Sequence, residues 1–243
     1  MEPSTKPIAL VTGANKGIGK EVVRGLAARG YIVYLGARDA DRGAKAKAEI
    51  DGPGLDIRVA QLDVTDSASI SRVAGTLTEE VGRLDVLINN AGVSFERLPP
   101  SQCDVQALRN TYEVNVFGPV ALTQALLPLL RVGQERVIVN LSSELGSLAL
   151  LGYPDFQFAQ VNAFAYNSSK TAINAFTVLL AKELRGEGFR VNSVNPGFTA
   201  TDLNQFRGKG KVEEAAEVVL RYATLDASGP TGGYFTQGGS LPW

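Results

Sequence analysis

Tyr166 and Lys170 stand four residues apart in Tyr166-Asn167-Ser168-Ser169-Lys170, within a stretch of helical periodicity, so a phenol and an ammonium share one helix face. In water a Tyr titrates near ~10 and a Lys near ~10.4. A cation held beside the phenol favours the phenolate and brings the group towards working pH as an acid or base. Alone, the pair also fits an apolar wedge beside a solvated charge, an arrangement found on many amphipathic helices. The chain has no His and one Cys. Ser-His-Asp and Cys-His catalysis, His-based zinc or non-haem iron sites, an intramolecular disulfide and iron–sulfur ligation are therefore excluded, and no metal is expected. Cys103 reads as a small buried or helix-start residue. Acid–base work falls to a shifted Tyr, Lys or carboxylate, or to a bound cofactor.

A glycine-rich loop far upstream decides between the two readings of the pair. Thr12-Gly13-Ala14-Asn15-Lys16-Gly17-Ile18-Gly19 follows the first strand-like run and opens the first helical one. Glycines there permit a tight turn and close approach of the backbone to a pyrophosphate, while the helix N-terminus offers free N–H donors and the positive end of its dipole. The spacing is G-x-x-x-G-x-G, one residue longer than the common dinucleotide fingerprint. At the end of the second strand-like run, where an NAD-preferring chain places an acid against the ribose, stand Ala37 and Arg38. A small neutral residue followed by a guanidinium suits a 2′-phosphate, with Lys16 as a second cation, so the expected cofactor is NADPH. The competing reading makes Asp39 the ribose acid, although Asp39 equally suits a helix N-cap.

These groups need a scaffold. Runs rich in β-branched residues recur at 8–12, 31–35, 57–61, 86–89, 137–141, 190–195 and near 233–235. Helical periodicity fills most of the intervals, as at 19–29, 67–81, 120–130 and 164–185. Such alternation builds a parallel sheet covered on both faces, with ligands beyond the C-terminal strand ends. No linker or repeat interrupts the 243 residues, and a single domain over 1–243 is expected. Lys plus Arg number 24 and Asp plus Glu 25, a balance that provides no field for nucleic acid or an anionic membrane surface. Apolar runs such as 120–130 stop short of the ~20 residues of a membrane span. Met1-Glu2-Pro3-Ser4-Thr5-Lys6 carries no leader pattern, so the expected location is cytoplasmic.

With these residues in hand, the chain resembles the classical short-chain dehydrogenase/reductase family, and within it the NADPH-dependent carbonyl reductases. The resemblance covers nearly the whole chain, through motifs in the family's order: the 12–19 loop, Asp63-Val64, Asn89-Asn90-Ala91-Gly92, Asn115, Ser142-Ser143, the 166–170 stretch and Pro196-Gly197. A joint match in order is far more specific than any single motif. The resemblance implies an α/β, Rossmann-type doubly wound parallel sheet of about seven strands with helices on both faces. It also implies NADPH held by Gly13, Asn15, Lys16, Gly17, Ile18, Gly19 and Arg38, with Asp63-Val64 at the adenine and Asn90, Ala91 and Gly92 beside it. Ser143 would orient a substrate carbonyl and Tyr166 would protonate its oxygen. Lys170 would hold the nicotinamide ribose and lower the Tyr166 pKa, and Asn115 would fix a water leading from Lys170 to solvent. Ser142 is the alternative hydroxyl, the family pattern favouring Ser143. Asn115 read without the family is equally a helix cap or kink. Pro196-Gly197 would close over the nicotinamide carboxamide, with Thr199 and Thr201 as candidate donors. Each role makes physical sense, because carbonyl reduction develops alkoxide charge that a placed hydroxyl and an acid stabilise without metal or His.

The implied activity is reduction of a small-molecule ketone or aldehyde. Its rivals are NADP-dependent oxidation of a secondary alcohol and a non-catalytic NADPH-binding regulator, the second being disfavoured by the complete proton-transfer set. Between Ser143 and Tyr166 the chain is longer than in the family's compact members and carries Leu148, Leu150, Leu151, Tyr153, Phe156, Phe158 and Phe164. Such apolar density predicts that segment 144–165 folds over something, a substrate or an oligomer surface, and leaves monomer, dimer and tetramer open. The other stretch expected to border the substrate is segment 201–211, where Gly208, Lys209 and Gly210 fit a mobile lid and equally a disordered surface loop.

Overall fold

In the computed structural model, which describes residues 6–243, the β-branched runs form strands β1 (Ile8–Val11), β2 (Ile32–Ala37), β3 (Asp56–Gln61), β4 (Val86–Asn89), β5 (Val137–Leu141), β6 (Arg190–Val194) and β7 (Tyr234–Thr236). The reading of the N-terminus falls outside the described residues apart from Lys6. A two-residue strand β8 (Gly239–Ser240), too short to show as a run, pairs antiparallel with β7. The order β3-β2-β1-β4-β5-β6-β7-β8 makes one sheet, parallel through its first seven strands. From β1 the chain runs outward to β3 and returns on the other side at β4. That reversal opens a crevice above β1 and β4, where ligands of doubly wound sheets bind.

Helices α1 (Gly17–Ala28), α2 (Ala40–Ile50), α3 (Ser67–Glu80), α4 (Val105–Tyr112), α5 (Gly118–Val132), α6 (Leu148–Leu151), α7 (Phe164–Leu184) and α8 (Val212–Ala223) connect the strands. Every residue of β1, β2, β4, β5 and β6 is buried, as expected of strands covered on both faces. Successive side chains alternate between two cores. Ala9, Val11, Val33, Ile88 and Val139 meet Val22 and Leu26 of α1 and Val219 of α8. Ile8, Leu10, Tyr34, Leu87 and Ile138 meet Leu77 of α3, Leu126 of α5 and Leu184 of α7. Aspartates cap three helices, Asp39 accepting from Arg42 N, Asp66 from Ala68 N and Asp104 from Gln106 N.

One expectation is corrected here. α4 and α5 join through a wide turn, Glu113–Phe117, into a 28-residue rod, Val105–Val132, of mean hydropathy 1.3, long and apolar enough to cross a membrane by length and composition. The interruptions that stopped the sequence reading are absorbed by the helix. Half of its apolar window is buried, with α3 and α7 packed against it, which is the environment of a core helix. The wide turn has a local cause: Pro119 has no N–H to return to the Asn115 carbonyl, and Gly118 N bonds Glu113 O instead.

Candidate active site

A cleft of about 590 Å³ opens over the C-terminal ends of β1, β4 and β5. Gly13, Asn15, Lys16, Gly17, Ile18, Gly19, Arg38, Asp63, Val64, Asn90, Ala91, Gly92, Tyr166, Lys170, Pro196 and Thr201 line it. Residues from distant parts of the sequence thus meet on one wall. Gly13 and Gly17 adopt φ of +61° and +56°, a region that side chains disfavour. A Cβ on Gly19 would stand 2.4 Å from Asn90 Nδ2, so only glycine lets α1 approach the β4 end this closely. Asn90 in turn stitches the two loops: its Nδ2 donates to Thr12 O at 2.7 Å and Gly13 O at 3.1 Å, while Thr12 Oγ1 accepts from the N–H groups of Asn90 and Ala91.

The helix α1 that starts from this loop has neither a side-chain cap nor an acid in its first turn. Its N–H groups and dipole therefore face the cleft without an internal anion. Among the described residues Arg38 is exposed over the cleft and pairs with no protein group, whereas Asp39 caps α2, accepting from Arg42 N at 2.9 Å. Asp39 is thus occupied as a cap. Lys16 reaches across the mouth to Asp202, 3.2 Å away, in an ion pair whose side chains are both more than half exposed. An exposed pair of this kind contributes about 0–1 kcal/mol, so an arriving dianion can displace Asp202 from Lys16. The uncapped helix end, the glycine cradle and the open guanidinium together fit a dinucleotide with a 2′-phosphate.

At the other end of the cleft, Tyr166 and Lys170 project from the first turns of α7. The Ser143 side chain is close enough to the phenol to draw its pKa down. The residue as a whole is half-buried. Burial pushes the phenol up to about 12, against smaller lowering influences from the Ser143 side chain and the Arg97 charge. Lys170 is 5% exposed and its Nζ donates to the Leu141 carbonyl at 2.8 Å. Burial brings it down to about 8. Its Nζ lies 5.6 Å from the Tyr166 ring centroid. The expectation that Lys170 holds the phenol below its ordinary value is therefore corrected: desolvation outweighs the nearby charges, and Tyr166 rests as the neutral acid.

Four expected residues stand off the cleft wall. Ser143 caps the short turn Glu144–Gly146, its Oγ accepting from Leu145 N at 3.3 Å. Ser142, the alternative, lines the cleft but is buried, and its Oγ has no hydrogen-bond partner in the protein. Ser143, and not Ser142, is the hydroxyl that draws the phenol down. Asn115 is 1% exposed; its Oδ1 accepts from Val93 N at 2.8 Å, and its Nδ2 donates to Val93 O at 2.9 Å and Ser169 Oγ at 3.0 Å. The side chain ties the loop after β4 to the residue preceding Lys170. Gly197 has φ of +87° and donates its N–H to Asn195 Oδ1 at 3.1 Å. Thr199 is 4% exposed, and its hydroxyl donates to Gly197 O at 3.2 Å. That hydroxyl is turned into its own loop, away from the cleft.

Segment 144–165 reaches the Pro196-to-Thr199 loop through aromatic edges: Phe156 meets Phe158, and Phe158 meets Phe198, each at 5.6 Å between ring centroids. Arg42, Ser94, Phe95, Val114, Asp202 and Leu203 also line the cleft and were not singled out in the sequence. Arg42 had a readable signal, a second guanidinium in the helix turn that follows Arg38. Asp202 and Leu203 fall in segment 201–211, the stretch expected to border the substrate, although neither residue was picked out within it. Among the described residues no three His, Cys, Asp or Glu side chains converge as metal ligands.

A model of the short chain dehydrogenase family matches residues 7–211. The chain is 33% identical over 306 aligned positions to (-)-isopiperitenone reductase of Mentha piperita, covering 96% of this chain and 97% of that one. It is 33% identical over 279 positions to carbonyl reductase [NADPH] 1 of Mus musculus, covering 99% of each. Among solved structures, NADPH-bound carbonyl reductase from chicken fatty liver superposes with a TM-score of 0.84 at 26% identity, covering 98% of this chain and 99% of the other.

Proposed function

The chain belongs to the short chain dehydrogenase family, and we propose that it is an NADPH-dependent oxidoreductase that reduces a ketone or aldehyde carbonyl to the alcohol. The observation that carries the reading is that Tyr166 and Lys170, with the Ser143 side chain close to the phenol, stand at one end of a cleft whose other end offers an uncapped helix terminus and Arg38, unpaired among the described residues. We read residues 1–243 as one domain, since strands from 8 to 240 share a single sheet. A cytoplasmic setting accords with Cys103 as a free thiol.

NADPH supplies the hydride when bound. The loop from Gly13 to Gly19 would receive its pyrophosphate, Arg38 and Lys16 its 2′-phosphate, and Asp63 and Val64 its adenine, with Asn90, Ala91 and Gly92 lining the cleft wall between there and Lys170. Pro196 and Thr201 would border the nicotinamide, with Gly197 shaping their turn and Thr199 bracing it from within. Ser143 gives a hydrogen bond to the substrate oxygen, and Tyr166, held protonated by burial, delivers its proton there as negative charge develops. Lys170, still largely charged at neutral pH, faces the phenolate that remains and steadies the ribose. Asn115 locks the loop after β4 against the Lys170 turn.

The test is Tyr166→Phe, which keeps the ring and removes the hydroxyl. General acid catalysis contributes ~10²–10⁴-fold, so single-turnover reduction of a carbonyl substrate should fall by that range while NADPH still binds. Reduction at near the parent rate would refute the assignment.

A further inference from the structure

The Ser143 turn is held from two sides. From α7, Thr171 Oγ1 and Asn174 Nδ2 donate to the Gly146 carbonyl at 3.0 and 3.3 Å, and a Cβ on Gly146 would stand 2.7 Å from Lys170 Cβ. The turn thus rests directly on the helix that carries Tyr166 and Lys170. From the sheet comes Tyr234, on β7, 1% exposed, whose hydroxyl donates to the Ser143 carbonyl. A phenol has one proton to give. It goes to the residue whose side chain faces Tyr166, and burial keeps the Tyr234 hydroxyl protonated far above its ordinary range.

Backing for this contact comes from segment 241–243. Trp243 stacks on the Tyr234 ring, with centroids 5.3 Å apart and planes 18° apart. Leu241 N donates to Tyr234 O at 2.7 Å, Ser147 Oγ to Pro242 O at 2.7 Å, and Ala149 N to Trp243 O at 2.9 Å. The start of segment 144–165 and the support of Tyr234 are therefore one assembly. The Ser143 carbonyl also accepts from Gly146 N at 2.7 Å, so loss of the phenol proton would not orphan it. What would be lost is the hold on the turn from the sheet. Beside the phenol, Ser142 Oγ and Asn174 Oδ1 are buried without hydrogen-bond partners of their own.

We propose that Tyr234 is a positioning residue for carbonyl reduction, its hydroxyl fixing the Ser143 turn so that the Ser143 side chain meets Tyr166 and the substrate oxygen. The inference rests on the reading of Ser143 given above, and a double-mutant cycle separates the two. Tyr234→Phe keeps the ring stack and should lower kcat about tenfold, less than the ~100-fold that a full ångström of misplacement costs. NADPH affinity and the emission of Trp243, the only Trp of the chain, should stay as in the parent. In a Ser143→Ala background the same change should have no further effect, because the group it positions is gone. Amide exchange at Leu145 and Gly146 should quicken in Tyr234→Phe while the β5–β6 ladder holds. Equal losses in both backgrounds, or a parent-like kcat in Tyr234→Phe, would overturn the inference and leave Ser143 standing. A parent-like Ser143→Ala would overturn the reading of Ser143 and this inference with it. Should Tyr234→Phe not fold, 3,5-difluorotyrosine at position 234 retains shape and hydroxyl but changes its donor strength. Its kcat should then differ from the parent only where Ser143 is present, and an unchanged kcat would overturn the proposal.

Discussion

Replacing Lys170 with Met keeps most of the length of the side chain and removes its charge together with its ribose contact, so at saturating cofactor it reports what the cation does for proton transfer. When Tyr166 gives up its proton, phenolate charge appears on a ring whose centroid is 5.6 Å from Lys170 Nζ. At an effective dielectric constant of ~20, unit charges at that separation attract by about 3 kcal/mol. Loss of the cation should therefore slow reduction on the order of 100-fold at neutral pH. The same charge can be removed by titration, and the sign follows from the two burial effects. Burial lowers Lys170 to about 8, so the ammonium is present below that pH and lost above it. Burial raises Tyr166 to about 12, so the proton donor stays protonated throughout. The parent should lose reductive activity as pH rises through about 8, being roughly nine-tenths charged at Lys170 at pH 7 and about one-tenth at pH 9. In Lys170→Met the limb should vanish and the rate stay uniformly low. The assay is single-turnover NADPH oxidation at saturating cofactor from pH 6 to 10. A limb with the same midpoint in the variant, or a rate within threefold of the parent, would refute the reasoning.

Arg38→Ala removes the one cleft guanidinium that pairs with no protein group among the described residues, and with it two charge-assisted contacts to a 2′-phosphate. NADPH affinity should weaken by about 2–4 kcal/mol with NADH nearly unaffected, as measured by titration of both cofactors; equal losses would return the role to Asp39. Phe156→Ala with Phe158→Ala breaks the aromatic path to Phe198, so the substrate profile or the sedimentation behaviour should change while NADPH affinity holds. Unchanged values of both would reduce segment 144–165 to surface.

What could be read from the sequence was whatever one local rule controls. Strand positions followed from β-branched runs, because residues buried on both faces leave a continuous apolar signature. The glycine loop was legible for a similar reason: left-handed φ at Gly13 and Gly17 and the tight contact at Gly19 are backbone requirements that glycine alone meets. Asp39 as a cap followed from its place before α2. What escaped depends on pairs far apart in the chain. Nothing near Lys16 announces Asp202, and nothing near Ser143 announces Tyr234, 91 positions on. Thr199 was misread because a hydroxyl after a Pro-Gly turn can serve a ligand or its own carbonyls, and only the coordinates distinguish these.

The Tyr166–Lys170 pair shows the limit most clearly. Its spacing announced the chemistry, yet the direction of the phenol's shift depended on burial that the spacing does not encode. A charge 5.6 Å from the ring, already donating to the Leu141 carbonyl, cannot offset desolvation around the hydroxyl. For a reductase this outcome is the useful one. The resting enzyme must hold a proton to give, and a phenol near 12 holds it across the whole physiological range. The lysine's charge then acts where it lowers the barrier, on the phenolate that forms as the proton leaves, and contributes little to the neutral phenol before that.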